Sequence, residues 1–430
     1  MKSQPPGAVR LVGVSRTAIS GKAVLAGDFH APVRIGVDGR RLGLRPKGIG
    51  RYIWELCKGL DNILPAARFF LYTPRPLNMP AISPRWSLRA DQSPLGRLSS
   101  NLWLVAGVGR LARCDDLDAF WAGSGLSPLI GLKTRTVLTV HDLVHKVAPQ
   151  TMDRRALWAA RLFFRSSLGN ADAVVSNSEG TARRLEHLGY KVAAVVRPGL
   201  SIVFQPKSEY EVQQALTRYS LVRPYLLAVA TWEPRKGLEP LIRAFLNMKA
   251  DGLVRNHKLV LIGERGWKDV AIMNLARRDT ESVLSLGFVD DVSLGALYQG
   301  ADAFIFPSKY EGFGMPVLEA RACGALVVTS DIPELREAGG DQAIYIEPTE
   351  EGIRNGISLA LKRRPTERVD WRDWNWNKSA AILAEVLLGH LYGEFAWPAE
   401  VRGPTLADNS ARLSALSVRG LPWNSGRTEG

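Results

Sequence analysis

The stretch Phe306-Pro307-Ser308-Lys309-Tyr310-Glu311-Gly312-Phe313-Gly314-Met315-Pro316-Val317-Leu318-Glu319-Ala320 decides how the chain is read. An apolar strand ends near Phe306 and a loop with two glycines follows. Pro316 suits the first position of a helix, where its missing N–H costs nothing, and Gly324 stops that helix a turn or two later. The amides of Gly312, Phe313 and Gly314 then stand at a helix N-terminus, a setting that takes anionic oxygens without a dedicated cation. Glu319 is expected in the first helical turn, its side chain tilted back over the loop, with Glu311 on the loop's other side. The same pattern also arises from a plain tight turn and a glutamate that complements the helix dipole.

Working outward, the strand–loop–helix unit repeats. Strand-like runs at 225–230, 258–262, 283–287, 303–306 and 325–329 alternate with helical patterns at 237–249, 268–277, 292–299 and 316–323. Upstream, strands at 33–38, 69–72, 119–121, 136–140 and 173–176 alternate with helices at 52–60, 97–113, 153–168 and 179–188. Such alternation predicts α/β architecture with parallel sheets. Around 198–224 the pattern loosens between Pro198, Pro206 and Pro224, which reads as a domain junction. The expected organisation is a loose leader (1–31), a first α/β domain (32–205), a second (206–378), a C-terminal helix (379–397) and a flexible tail (398–430). Trp371, Trp374 and Trp376 are expected to pack the C-terminal segment back on the body.

Bulk properties agree with two cores. The chain has 430 residues, 46% of them hydrophobic and 23% charged, and one core rarely grows past roughly 250–300 residues. A net charge of +14 points to an anionic partner without choosing among nucleic acid, lipid headgroups and diphosphates. Cys57, Cys114 and Cys323 form no pair with metal or redox spacing, which favours a reducing compartment. No apolar run approaches the roughly 18 residues of a membrane span. Arg16 and Lys22 interrupt any signal-peptide core, so a cytoplasmic location is expected.

Three further segments hold candidates. Ala230-Thr231-Trp232-Glu233-Pro234-Arg235-Lys236-Gly237 sets Arg235 and Lys236 at a strand-to-helix turn, where they can neutralise a leaving anion or form an exposed basic turn. Thr139-Val140-His141-Asp142-Leu143 ends a strand of the first half with a histidine. Gly48-Ile49-Gly50 is neither a dinucleotide fingerprint, lacking the third glycine, nor a P-loop, with Ile49 where lysine belongs. Arg97, Arg110 and Arg113 bracket Leu102, Trp103, Leu104 and Val105. Arg154, Arg155, Arg161 and Arg165 interleave with Leu157, Trp158, Phe163 and Phe164. Each group reads either as a solvated basic face over core or as a surface for peripheral contact with an anionic membrane.

Leu286-Gly287-Phe288-Val289, Leu297-Tyr298, the run from Ala301 to Ser308 and Asp331-Ile332-Pro333-Glu334-Leu335-Arg336-Glu337, together with the segment between, resemble glycosyltransferase family 4 across roughly residues 33–390. The family's Glu-x7-Glu motif is matched by Glu311 and Glu319. The resemblance implies a GT-B fold, two Rossmann-like domains facing each other across a cleft. It also implies transfer with retained anomeric configuration, no metal and no cofactor. By position, it makes Glu311, His141 and Lys236 catalytic. Glu319 binds the nucleotide ribose, and Gly312, Phe313 and Gly314 face the donor sugar and diphosphate. Arg235 and Lys236 hold the diphosphate, and Gly48 and Gly50 lie near it and the acceptor. Many members carry the arginine earlier, where this chain has Ala230 and Thr231, so Arg235 departs from the pattern. The style of these segments is similar to bacterial mannosyltransferases of surface-polysaccharide assembly. The implied partners are a nucleotide-sugar donor, GDP-mannose before UDP-sugars, and a glycan or lipid-linked acceptor. Competing readings are a nucleotide-sugar epimerase, a nucleic-acid binder and an inactive sugar-binding relative. No helix-turn-helix, zinc or RNA-binding motif supports nucleic acid.

Overall fold

The computed structural model describes residues 32–43, 48–78, 81–152, 154–266, 269–363 and 373–392. The leader, the tail and Trp371 lie outside them. The first sheet contains β1 (Arg34–Asp38), β2 (Arg68–Thr73), β3 (Trp86–Ala90), β4 (Ala119–Ala122), β5 (Arg135–Val140), β6 (Ala173–Ser176) and β7 (Ala194–Val195). Its order is β3-β2-β1-β4-β5-β6-β7. The second contains β8 (Tyr225–Val229), β9 (Lys258–Ile262), β10 (Val283–Gly287), β11 (Ala303–Phe306), β12 (Val327–Ser330) and β13 (Ile344–Ile346), in the order β10-β9-β8-β11-β12-β13. Every pairing is parallel. Both are Rossmann-like, and in each the first strand sits mid-sheet, where the order reverses and the strand ends open a crevice. Helices cover both faces, which is why strands such as Ala303-Phe304-Ile305-Phe306 are apolar throughout rather than alternating.

Several expectations are refined. The single helix expected at 97–113 is a 3-10 turn, Pro94–Arg97, followed by helices Ser100–Ala106 and Val108–Ala112. Ser99 caps the first helix by accepting from the Leu102 N–H at 3.4 Å. Gly107 breaks the run, and Gly109 lies so close to Ile130 that a Cβ would strike its carbonyl. Within the loosened segment 198–224, helix Glu209–Arg218 starts from a capping box in which Ser208 and Glu211 satisfy each other's backbone amides.

The helix after the glycine loop runs Met315–Ala322 with Gly314 as its N-cap. Pro316 is therefore its second residue, and Glu319 its fifth, just past the first turn. The left-handed Gly314 cap starts the helix one residue before the proline.

The C-terminal helix, Trp376–Tyr392, crosses back to the first half and packs on helix Ile49–Ile63. At Gly59 a Cβ would come within 2.6 Å of the Ala380 Cβ, so the approach depends on small residues. Leu383, Leu387 and Leu388 join Ile53, Leu56 and Leu60 in one core. Trp376 meets Tyr52 edge-on at 5.9 Å, and Trp374 meets Phe313 at 5.5 Å.

Candidate active site between the two halves

Two turns of the second half interlock to build the site. The loop after β11 passes over the turn after β8, where the Lys309 N–H donates to the Arg235 carbonyl at 2.8 Å. Gly237 is left-handed at φ 68° and faces Pro307 so closely that a Cβ would overlap its carbonyl oxygen. Only glycine meets both demands.

The interlock brings together three of the expected residues. Lys236 Nζ donates to Glu311 Oε1 at 2.6 Å, and Arg235 Nη1 to Glu311 Oε2 at 3.2 Å. Ser308 Oγ donates to Oε1 at 2.6 Å. Arg235 also pairs with Glu233 at 3.1 Å. Glu311 is buried, which alone would raise its pKa. The charges of Lys236 and Arg235 and the hydrogen bonds outweigh burial and hold the carboxyl down at about 2. Burial pulls Lys236 below its ordinary value, against Glu311. Glu311 is thus an anion at neutral pH, unable to act there as a proton donor.

His141 meets this loop from the first half. Its Nε2 lies 2.7 Å from the Gly123 carbonyl. A carbonyl only accepts, so Nε2 carries the proton. Burial lowers the imidazole's pKa despite that bond and Asp142. The neutral ring then keeps Nδ1 as its acceptor. Gly312 packs on the His141 backbone, and a Cβ there would collide with the His141 carbonyl oxygen. Thr181 Oγ1 donates to the Gly312 carbonyl at 3.3 Å. Phe313 contributes backbone only, because its ring is buried in the second-half core.

Glu319 is also buried. Burial raises its pKa to about 7, with Arg51 lowering it and Asp291 raising it. Arg51 follows Gly48-Ile49-Gly50, with Gly48 as the N-cap of helix Ile49–Ile63 at φ 49°. It reaches across the cleft to Glu319 at 3.2 Å and Asp291 at 3.3 Å. The expected glycine loop therefore meets the expected ribose carboxylate through Arg51, a residue not singled out in the sequence.

Other contacts across the cleft were equally hidden. The Tyr310 ring enters the core of the first half, and its hydroxyl accepts from the Leu143 N–H at 2.6 Å. Arg184 pairs with buried Glu334 at 2.6 Å, and Arg197 with Glu337 at 2.6 Å. The only signal for these lay in Pro333-Glu334-Leu335-Arg336-Glu337, read as family pattern without partners.

Among the described residues, no group of three or more His, Cys, Asp or Glu converges as a metal site, and no helix is long and apolar enough to cross a membrane. The first basic group lies partly over core, with Arg97, Arg113 and Leu102 exposed. Trp103 and Leu104 are fully buried, and Arg110 pairs with Asp91 at 2.8 Å. On helix Arg154–Asn170, by contrast, Trp158 is 66% and Leu162 49% exposed beside exposed Arg154, Arg161 and Arg165.

Residues 46–202 match the family model for glycosyltransferase family 4, and residues 219–373 the model for glycosyl transferases group 1. The chain is 32% identical over 222 residues to O-antigen chain mannosyltransferase B of Escherichia coli, a match spanning 50% of this chain and 58% of that protein. The fold is similar to that of sucrose-phosphate synthase from Thermosynechococcus elongatus, at TM-score 0.61 and 18% identity, covering 90% of this chain and 100% of that one. It is also similar to Anabaena HepE in complex with UDP-glucose, at TM-score 0.56 and 17% identity, covering 89% and 99%. With one family model on each half and this fold across both, the chain belongs to the glycosyltransferases of family 4 and has the GT-B fold.

Proposed function

We propose that the chain is a retaining hexosyltransferase that moves mannose from GDP-mannose to a glycan or lipid-linked acceptor in surface-polysaccharide assembly. The observation that carries the reading is the buried knot of Glu311, Lys236, Arg235 and Ser308, set against neutral His141 across the cleft. The knot holds two cations beside the amides of residues 312–314, where a diphosphate can lie at the start of helix Met315–Ala322. As the glycosidic bond breaks, charge grows on the diphosphate, and Lys236 and Arg235 stabilise it. Glu311, held as an anion, faces the positive charge that develops on the sugar. His141 Nδ1 accepts from a sugar hydroxyl, and Glu319 accepts from the ribose. The leaving phosphate takes the acceptor's proton in a same-face attack.

Mannose rests on the likeness to the O-antigen mannosyltransferase, whose length is matched only in part. The second donor reading, a UDP-sugar, rests on HepE, whose structure holds UDP-glucose. The exposed Trp158, Leu162 and arginine face supports peripheral contact with an anionic membrane at the cytoplasmic side.

Thermal shift with GDP-mannose and UDP-glucose, followed by turnover with the donor that binds, tests the reading. NMR of the fresh product then reads the anomeric configuration. Binding of neither donor, or an inverted product, sinks it.

A further inference from the structure

Away from the cleft, helix Val144–Val147, helix Arg154–Asn170 and the turn after helix Glu179–His187 enclose a cavity of about 540 Å³. Three of its lining residues are cations: Lys146, Arg161 and Arg165. All three are exposed, and among the described residues none forms an ion pair. Tyr190 stands on the same wall.

His145 also lines the cavity. It is only 6% exposed, yet its Nε2 has no hydrogen-bond partner among the described residues. Its ring meets Phe164 edge-on at 4.3 Å. An unpaired buried imidazole nitrogen costs free energy unless a bound molecule meets it. Burial, then Lys146 and Arg161 acting against Asp142, holds the ring below its ordinary pKa, so it stays neutral beside the cations.

Three cations without an ion pair among the described residues, set around a concave wall, ask for an anion, and two arginines one helical turn apart match the oxygens of a phosphate. We propose that this cavity is a second anion site that takes a phosphate or diphosphate group, with Arg161, Arg165 and Lys146 on its oxygens and His145 Nε2 completing the contact. None of the cavity's lining residues belongs to the donor knot of Glu311, Lys236, Arg235 and Ser308. Trp158 and Leu162 emerge from the same helix within a turn of Arg161. A phosphate at the head of an amphiphile could therefore enter with its apolar part along this face, as could a soluble phosphate ester. The proposal does not depend on which sugar is transferred.

The chain has six histidines, so imidazole 15N NMR resolves the two sites separately: His145 reports the cavity and His141 the donor cleft. Inorganic pyrophosphate, titrated with UDP and GDP present at saturation, should move the His145 Nε2 resonance along a saturable curve. The double variant Arg161→Ala/Arg165→Ala should weaken that response roughly tenfold or more, while nucleotide thermal shifts stay as in the wild type. Arg161→Lys/Arg165→Lys should recover part of it. Sedimentation with vesicles of phosphatidic acid in phosphatidylcholine separates the two ligand sources. Release of the protein by free pyrophosphate identifies a lipid headgroup. A His145 response without such competition identifies a soluble phosphate. An unresponsive His145, or a response untouched by the double alanine variant, overturns the proposal and leaves the donor assignment standing.

Discussion

Arg51 and Glu319 form an ion pair across the cleft, guanidinium to carboxylate at 3.2 Å, although 268 residues separate them. Burial lifts this carboxyl to about 7, and Arg51 opposes the rise. With Glu319 in the proposed ribose role, donor affinity should fall as pH drops through 7, because the protonated carboxyl loses acceptor capacity. Arg51 lowers this pKa, so Arg51→Ala should move the midpoint upward and weaken donor binding at pH 7, with recovery near pH 9. Calorimetric titration of the donor across pH checks this. A midpoint unmoved in Arg51→Ala would refute the coupling.

The same carboxyl ties stability to pH. Its folded pKa is about 7 against an ordinary 4.5, so the folded chain binds more protons than the unfolded one between those values. Stability falls as pH rises through that window and levels off above it. Glu319→Gln should thus stabilise the fold at pH 8, by on the order of 2–3 kcal/mol, and change little at pH 4. Urea unfolding at both pH values measures it. Equal effects at the two would mean that Glu319 is not raised.

Donor binding and chemistry should separate by residue. Lys236→Ala should lower kcat by about 10²–10³, the loss expected for one preorganised donor to the transition state. Glu311→Gln should also act on kcat, with donor affinity changing less. Glu319→Gln should raise KM instead. Steady-state kinetics of the three variants decide this, and equal kinetic defects in both glutamate variants would end the division of roles.

Gly312→Ala tests how closely the halves must meet. The added methyl has to displace the His141 backbone, an overpacking worth about 1–3 kcal/mol. It should cost roughly 10²-fold in kcat through misplacement. Gly324→Ala is a useful control, since no atom stands within 4 Å of a Cβ there. It carries its own strain from φ 82° but should leave kcat near the wild-type value.

The parts of this site that could be read from the chain are the local ones. Glu311, Gly312 and Glu319 lie within nine residues, and Arg235 and Lys236 adjoin a strand end, so spacing places them at strand carboxyl ends, while their roles came from the family resemblance. Arg51, Tyr310 and the Arg184–Glu334 pair were not legible, because a partner 268 or 150 residues away leaves no period or spacing. Helix Glu209–Arg218 was hidden by its polarity, although Ser208 and Glu211 held the S-x-x-E cap signal. Strands β3, β7 and β13 passed unread because these edge strands lack the apolar runs of central ones. The split at Gly107 lies beside a close tertiary contact at Gly109, and helix periodicity reveals neither.

The return of helix Trp376–Tyr392 to helix Ile49–Ile63 has a consequence for biosynthesis. Chains fold from the N-terminus as they are made, yet Leu383, Leu387 and Leu388 complete the core around Ile53, Leu56 and Leu60. The first half thus leaves the ribosome with that core incomplete and closes it last, after the second half has been synthesised. Translation that stops short of residue 376 should therefore yield a fragment whose first half lacks the helix that packs on Ile49–Ile63.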